Sequence, residues 1–416
     1  MEYFYLTILF LVRLTTKYYD VPVFFQFIIY SVFLFYYVRQ PAEKFVKLLI
    51  FNFIISSFVI GIFVPLELNY ISLQLAAIIL FKVIIGRLKF SFENQVWFVL
   101  FFIYLLFSSF ISDLDSNNPK LVQSRNEIIL FALLFYIFLN IIGYKNSWFN
   151  SIIIIQAVTF CALYVIVLSL FNINFSEREV VDLNDNYKLS SAALLPDRNY
   201  ASGLISFGIG LLFTELERIR SKSLIFLLLI VFFGSQLILA SRGGIITSLA
   251  ILIFIMIYES VRKKRKSFRL LILIFPMLLS LVVFDTSLIR DRFKEESIED
   301  QSGRSEIRQE SFSKYMNQDL LEKTLGGGSF HGYTTLAFNK SIHNNFLEVL
   351  YDYGLIGFVI FLVSIFRVWR MQLFNKVNIL IYCIVSLSLS PIISVVYWVF
   401  LVVSFTPYSL KLNKGD

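Results

Sequence analysis

The sequence predicts an all-α, polytopic integral membrane protein with about 12–14 transmembrane helices and a large extracytoplasmic loop that contains short helices. Hydrophobic residues make up 57% of the 416-residue chain, and the mean hydropathy is +0.74. One long apolar run follows another, which the core of a soluble protein of this size does not require. We therefore expect residues 1–416 to form a single membrane domain.

The candidate helices are fourteen apolar runs. A full crossing needs about 20 apolar residues, so it is open whether the first run spans the membrane. The N-terminus lacks a basic start and a small-residue cleavage site, so we expect it to be retained rather than removed as a signal peptide. The runs lie near residues 3–12, 21–38, 44–64, 70–86, 94–112, 127–143, 148–172, 200–214, 223–240, 243–259, 268–285, 344–367, 377–389 and 391–407.

The charges of the connecting loops predict the orientation of these helices. Basic loops remain on the cytoplasmic side of a membrane. The basic segments are 217–222, 262–269, 367–376 and the C-terminal tail, so residues 173–198 and 286–342, with mixed or acidic charge, become extracytoplasmic loops. The net charge of +8 is explained by these short loops, and we expect no nucleic-acid partner.

With this orientation, three helices begin at the extracytoplasmic side with polar residues, in "DRNYAS", "SRGG" and "HNN". Helix N-termini carry unpaired N–H groups and partial positive charge, which suit phosphate. In the outer loop, "GRSEIRQE" adds two arginines four residues apart. The sequence therefore predicts a site for an anionic lipid head group, with the candidate residues Arg198, Asn199, Ser241, Arg242, Arg304, Arg308 and Asn344.

Structural roles are the alternative for each arginine. Arg198 and Arg242 have the pattern of interfacial anchors, and Arg304 and Arg308 have the spacing for ion pairs with Glu306 and Glu310. Arg242 lies in "LILASRGGIITSL", which leaves almost no loop and places a basic residue on the side where basic residues are disfavoured. That position favours a functional role for Arg242.

His343 is one of only two histidines in the chain and lies at a predicted helix start. A helix N-terminus disfavours the protonated imidazole, so His343 is a candidate general base near pH 7. His331 in "SFHGY" is predicted to be an ordinary loop histidine. Two histidines twelve residues apart without a Cys or Glu cluster predict no metal site, and the chain has no nucleotide-binding glycine motif. We expect no cofactor.

These residues resemble the bacterial O-antigen ligase and O-antigen polymerase family, membrane enzymes of the glycosyltransferase C superfamily. One motif of that family is His, then Asn, Ser or Gln, nine residues, Gly, two residues, then Gly, Thr or Tyr; His343, Asn344, Gly354 and Gly357 fit it. The motif of Arg, three residues and Leu is matched by Arg242 with Ile246 in place of Leu. The resemblance covers about residues 197–360, where Gly303–Arg304 and the glycines at 326–328 also fit and Arg198 replaces a proline.

The resemblance implies glycosyl transfer at the outer face of the bacterial inner membrane. The donor would be an oligosaccharide on undecaprenyl pyrophosphate, and the acceptor a lipid-linked repeat unit for a polymerase or lipid A-core for a ligase. Arg242 and Arg304, with Arg198 and Arg308, would stabilise the departing pyrophosphate, His343 would take the acceptor proton, and Asn344 would orient the imidazole or a sugar. Membrane lipids, a flippase and a chain-length regulator would be its partners.

The alternative function from another class is that the protein is itself a lipid-linked glycan flippase. A flippase predicts charged residues deep within the spans and an internal repeat.

Overall fold

The described part of the chain is helical, with no strand among the residues concerned. The computed structural model describes residues 96–112, 119–141, 147–170, 198–215, 221–239, 241–263, 304–328, 344–387 and 395–406, together with a few isolated positions. The helices in these ranges are α1 (Val96–Ser112), α2 (Pro119–Ile141), α3 (Ser147–Leu170), α4 (Arg198–Thr214), α5 (Lys222–Leu239), α6 (Arg242–Lys263), α7 (Arg304–Asn317), α8 (Leu320–Leu325), α9 (Asn345–Val368), α10 (Leu373–Ser386) and α11 (Val395–Phe405).

The apolar runs predict most of these helices to within a few residues. The largest difference at a helix start is in α2, which begins at Pro119 rather than near residue 127. Proline is tolerated there because the N–H groups in the first turn of a helix have no partner within the helix, so the N–H that proline lacks is not needed. The runs at 3–12, 21–38 and 268–285 lie outside the described residues, as do all of 70–86 except Ala76 and most of 44–64 and of the two predicted outer loops.

Membrane-spanning character is found in several of the described helices. Three are long and apolar enough to cross a membrane: Ser151–Leu170, Lys222–Leu239 and Asn345–Val368. Hydroxyl side chains inside the apolar helices donate to the carbonyl one turn earlier, as Thr159 does to Ile155 and Ser364 to Ile360. Such bonds satisfy a polar group where no water is available.

The chain divides into two compact units, and the first comprises Met1–Phe63 and Trp148–Asp291. Its central helix is α4, in which every residue from Ala201 to Phe213 is buried. Gly208 of α4 allows a close approach, because a Cβ there would lie 2.6 Å from Val158 Cγ1 of α3 and 3.2 Å from the ring of Phe232 in α5. The described helices of the first unit therefore pack around α4.

The second unit comprises Val64–Ser147 and Arg292–Asp416, and its core is aromatic. Phe98 of α1 stacks on Phe405 of α11 with ring centroids 4.2 Å apart. Phe101 stacks in turn on Phe361 of α9 at 5.4 Å and on Trp398 of α11 at 6.3 Å. Large rings fill the space between helices that carry few small residues, and α1 is thereby fixed against α9 and α11.

Candidate functional site

The N-termini of α4 and α6 meet in the first unit. Arg198 is the first residue of α4 and Arg242 the first residue of α6, and both side chains are half-buried. Ser241 Oγ donates to Asn199 Oδ1 at 3.0 Å, and the Gly244 N–H approaches Ser241 Oγ at 3.4 Å. The structure therefore brings Asn199 and Ser241, which were predicted as site residues from separate segments, into direct contact.

Gly244 explains how two helix starts can lie so close. A Cβ at this position would be 1.7 Å from Ser202 Oγ and 3.1 Å from the Ser202 carbonyl carbon. Only glycine fits at such a distance from another backbone. Gly244, the second of the two glycines that follow Arg242 in the sequence, is thus required by the packing of α6 on α4.

Gln236 of α5 forms the centre of a buried polar cluster below these helix starts. Its Nε2 lies 3.0 Å from the Ser202 carbonyl oxygen, 3.0 Å from Ser206 Oγ and 2.8 Å from Ser248 Oγ. Ser248 Oγ in turn donates to Gln236 Oε1 at 3.0 Å. The cluster links α4, α5 and α6 by hydrogen bonds, which stabilise helix association where no water competes. Gln236 is not among the predicted site residues, although a lone glutamine in an apolar run is a recognisable signal.

Asn344 begins α9 as its N-cap. Its Oδ1 accepts a hydrogen bond from the Leu347 N–H at 3.1 Å, and its backbone is extended. Asn345 is buried and donates from Nδ2 to the Tyr382 hydroxyl of α10 at 3.3 Å. His343 directly precedes the cap and lies outside the described residues. The helix start predicted at this motif is confirmed, while the role of His343 stays a prediction.

The helix α9 is not straight, which differs from the single uninterrupted helix that its apolar run suggests. Gly354 has φ 65° and ψ −174°, which divides α9 into an arm at 345–353 and an arm at 355–368. The rings of Phe346 and Phe361 lie 5.9 Å apart, although fifteen residues of straight helix extend about 22 Å. The first arm is therefore folded back towards the second, and the N-cap Asn344 does not lie at the far end of a straight helix.

Glycine is required at both ends of the G-x-x-G spacing. At Gly354 the positive φ disfavours any side chain, and a Cβ would lie 2.4 Å from the Gly326 nitrogen. At Gly357 a Cβ would lie 2.6 Å from Tyr353 Cβ and 2.8 Å from the ring of Tyr104. We call this arrangement of Gly326, Gly328, Gly354 and Gly357 the glycine corner.

A turn after α8 completes the glycine corner. Gly326 and Gly328 have φ of 84° and 89°, and the Gly328 N–H donates to the Asp352 carbonyl oxygen at 2.7 Å. The Tyr104 hydroxyl of α1 lies 3.0 Å from the Leu325 carbonyl oxygen and 3.1 Å from the Tyr353 carbonyl oxygen. The Tyr104 hydroxyl is thus within hydrogen-bond distance of the carbonyl oxygens at the ends of two helical segments, α8 and the first arm of α9. Tyr104 is not among the residues that the sequence predicts for the site, because it lies more than 200 residues away in the chain.

The first arm of α9 also carries two buried acidic residues, Glu348 and Asp352. They lie four residues apart and therefore on the same side of the helix. The rival interpretation as a lipid-linked glycan flippase predicts charged residues deep within the spans. These two carboxylates belong to the folded-back arm rather than to the middle of a straight span.

The two arginines of α7 differ in what the structure shows. Arg304 is the first residue of α7, and the structure describes its backbone but not its side chain. Arg308 Nη2 donates to the Leu387 carbonyl oxygen, just beyond the end of α10, at 3.0 Å. Glu310, which the sequence offered as an ion-pair partner, pairs with Lys314 at 2.9 Å. Arg308 therefore has a capping role, and substrate contacts of either arginine stay predictions.

His331 lies beside the glycine corner. Its ring stacks on Tyr351 with centroids 5.3 Å apart, and a Cβ at Gly327 would collide with that ring. Burial lowers the pKa of His331, and the nearby Glu322 carboxylate opposes this shift only in part. His331 is consequently a neutral packing residue at pH 7. Among the described residues, no group of three or more His, Cys, Asp or Glu side chains is placed to hold a metal ion.

The glycine corner predicts the effect of Gly354→Ala. We expect this change to lower the free energy of unfolding by about 1–3 kcal/mol, because alanine is strained at positive φ and its Cβ would collide with the turn at Gly326. Thermal unfolding in detergent would measure it. The matched control is Gly243→Ala, at a half-buried position in the first turn of α6 where the backbone φ is not positive and alanine is therefore unstrained. Equal unfolding temperatures for the two variants would contradict the strained corner.

The comparisons with known proteins give one family. Residues 223–362 match the family model described as O-antigen ligase. This match confirms the family resemblance drawn from the two motifs. No curated protein matches the chain at a significant level. The matched region includes Ser241, Arg242, Arg304, Arg308, His343 and Asn344, and it begins after Arg198 and Asn199.

Proposed function

Because residues 223–362 belong to the O-antigen ligase family, we propose that the protein is a surface polysaccharide polymerase of the O-antigen type. It transfers a glycan from undecaprenyl pyrophosphate to a hydroxyl of a lipid-linked repeat unit, at the outer face of the bacterial inner membrane. The observation that carries the proposal is the family match across both motifs, the one at Arg242 and the one at His343.

The helix starts support pyrophosphate as the leaving group. Arg242 begins α6 and Arg198 begins α4, and the two helix starts are joined through the Ser241–Asn199 hydrogen bond. Backbone N–H groups at these starts add partial positive charge to the two guanidinium groups. In the proposed reaction Arg242 stabilises the negative charge that develops on the departing pyrophosphate, and Arg198 and Asn199 assist in binding.

His343, Arg304, Asn344 and Arg308 have the remaining roles in this proposal. His343 accepts the proton of the acceptor hydroxyl as that oxygen forms the new glycosidic bond, and Arg304 binds a phosphate oxygen. Asn344 keeps its cap bond to Leu347, which fixes the helix start next to His343. Arg308 already donates one Nη2 hydrogen to Leu387, so a phosphate contact would use its other nitrogen atoms.

The proposed chemistry needs no metal ion or cofactor, because arginines and helix N-termini stabilise the negative charge on the leaving pyrophosphate. A flippase that delivers the donor and a regulator of chain length are the further partners in this proposal. A ligase that transfers the glycan to lipid A-core uses the same donor and the same leaving group. The two alternatives therefore differ only in the acceptor.

Profiling of surface glycans in a deletion strain tests the proposal. A polymerase predicts that the deletion leaves single repeat units attached to lipid A-core, because ligation continues without elongation. A ligase predicts that all attached glycan is lost while lipid-linked polymer accumulates. A second test incubates the purified protein in detergent with the lipid-linked donor. Formation of longer products would exclude a transporter, because a flippase makes no new glycosidic bond. Normal chain length in the deletion strain would contradict the proposal.

A further inference from the structure

The outer helices α7 and α8 expose a set of large apolar side chains. Although α7 is rich in charged and polar residues, two of its bulky side chains are 55% exposed, and two leucines at the start of α8 are 81% and 67% exposed. Large apolar side chains grouped in this way on a surface signal an interaction site. We call this set the apolar rim; its members are Phe312, Met316, Leu320 and Leu321.

The three sides of α7 have different surroundings. Ile307, Ser311 and Tyr315 are buried, and Ile307 and Tyr315 join a cluster with Tyr351 of α9. Phe312 and Met316 are four residues apart, and both lie more than 90° around the helix from Ile307. Ser313 and Asn317 are exposed polar residues about a further 100° around from Phe312 and Met316. One side of the helix thus faces protein, one is apolar and open, and one is polar and open.

The apolar rim adjoins the lipid-facing surface of the membrane helices at two points. The end of α8 is contacted by Ser108 Oγ, 3.4 Å from the Leu325 carbonyl oxygen, and the preceding residue, Phe107, is 57% exposed on α1. Gly354 contacts the turn after α8, and the residues that follow it in α9, Leu355 and Ile356, are also exposed. Exposed apolar residues on membrane-spanning helices face lipid, so the same lipid surface reaches α8.

We propose that α7 and α8 lie in the interface of the bilayer, with the apolar rim in contact with lipid acyl chains. A helix with an apolar side and a polar side binds in the plane of a membrane surface and immerses its apolar side by roughly 5–10 Å. The hydrogen bond from Arg308 to the end of α10 fixes α7 at the level where a membrane helix ends. This inference concerns the lipid surface and does not depend on the proposed reaction.

The consequence is that α7 and α8 are part of the membrane surface rather than surrounded by water. The polar side of α7, with Ser313 and Asn317, would face water, while the apolar rim faces the acyl chains of the outer leaflet. A substrate carried on a membrane lipid has its phosphate groups at this same depth. The helix that begins with Arg304 would then lie at the level of such a head group.

Spin labelling tests the proposal on the full chain in nanodiscs of phosphatidylethanolamine and phosphatidylglycerol. In a background with Cys161→Ala and Cys383→Ala, single cysteines carry a nitroxide at Phe312, Ser313, Met316 or Asn317. Collisions with oxygen, which concentrates in lipid, are compared with collisions with a water-soluble nickel chelate. We expect a higher ratio of oxygen to nickel collisions at 312 than at 313, and at 316 than at 317.

The adjacent positions make the test internally controlled, because 312 and 313 lie on the same turn of one helix and point about 100° apart. Equal ratios within each pair would overturn the proposal. So would low collision rates with both reagents at 312 and 316, since that result means the apolar rim is covered by protein. An unfolded variant is recognised by the sharp spectrum of a mobile label, and the comparison is then made within the pair of positions that remains folded.

Discussion

Arg242→Ala is expected to lower the rate of glycan transfer by about 10²–10³ while the protein still inserts and folds. Removal of one pre-organised donor to a developing charge has an effect of this size. Arg242→Lys should recover only part of the activity, because an ammonium group cannot reproduce the two parallel hydrogen bonds of a guanidinium to phosphate. Product formation from purified lipid-linked donor, at matched protein concentration, measures both variants.

The control for this prediction is Arg370→Ala. Arg370 lies just after α9 in the segment predicted to be cytoplasmic, where its guanidinium group packs over the ring of Phe366. Its replacement removes the same charge from a position outside the proposed site, so near-normal transfer is expected. If Arg242→Ala keeps normal product length and amount, the assignment of Arg242 is wrong. If Arg370→Ala loses as much activity, net charge rather than position is responsible.

His343→Ala is expected to lower transfer by about 10²–10⁴ without abolishing it, because general-base catalysis contributes a factor of that size. The matched comparison is His331→Phe, which keeps a ring against Tyr351 and Gly327 but removes the imidazole. We expect this second variant to retain most of the activity. Equal losses from the two changes would remove His343 as the base and leave it a structural residue beside the cap at Asn344.

The pH profile separates the two histidines further. Only a neutral imidazole accepts a proton, so transfer should decline at acid pH if His343 is the base. His331 adds a different acid effect: burial lowers its pKa in the folded protein, so the unfolded chain binds the proton more readily. Its stabilising contribution is complete above the ordinary pKa and is lost as the pH falls towards the lowered value. In His331→Phe the acid loss of stability should diminish while the acid decline in activity remains.

The positions of the helices could be predicted from the sequence because each apolar run must satisfy its own backbone inside the membrane. The start of α9 could also be predicted, since Asn344 is a residue type that caps helices. The fold in α9 could not, because both arms together form one run of 24 residues, long enough for a single span. Gly354 inside a helix pattern is compatible with a straight helix, and only its contact with Gly326 shows why the chain turns.

The polar partners inside the units could be predicted only in part. Gln236 is conspicuous in an apolar run, yet its binding to Ser202, Ser206 and Ser248 depends on which helices become neighbours. The spacing of Arg304 and Arg308 predicts that they share a side of α7 but not that Arg308 reaches Leu387. Pattern alone describes one helix at a time, and these contacts join helices that are distant in sequence.

The contacts of Tyr104 have a consequence for the order in which the protein is made. Its hydroxyl group bonds to Leu325, which is 221 residues further along the chain. At a synthesis rate of roughly 5–20 residues per second, the ribosome needs about 11–44 s to extend the chain from one to the other. During that interval α1 is in the membrane without α8 and α9, the helices whose carbonyl oxygens Tyr104 contacts. The glycine corner, and the helix start that carries Asn344, can therefore assemble only late in synthesis.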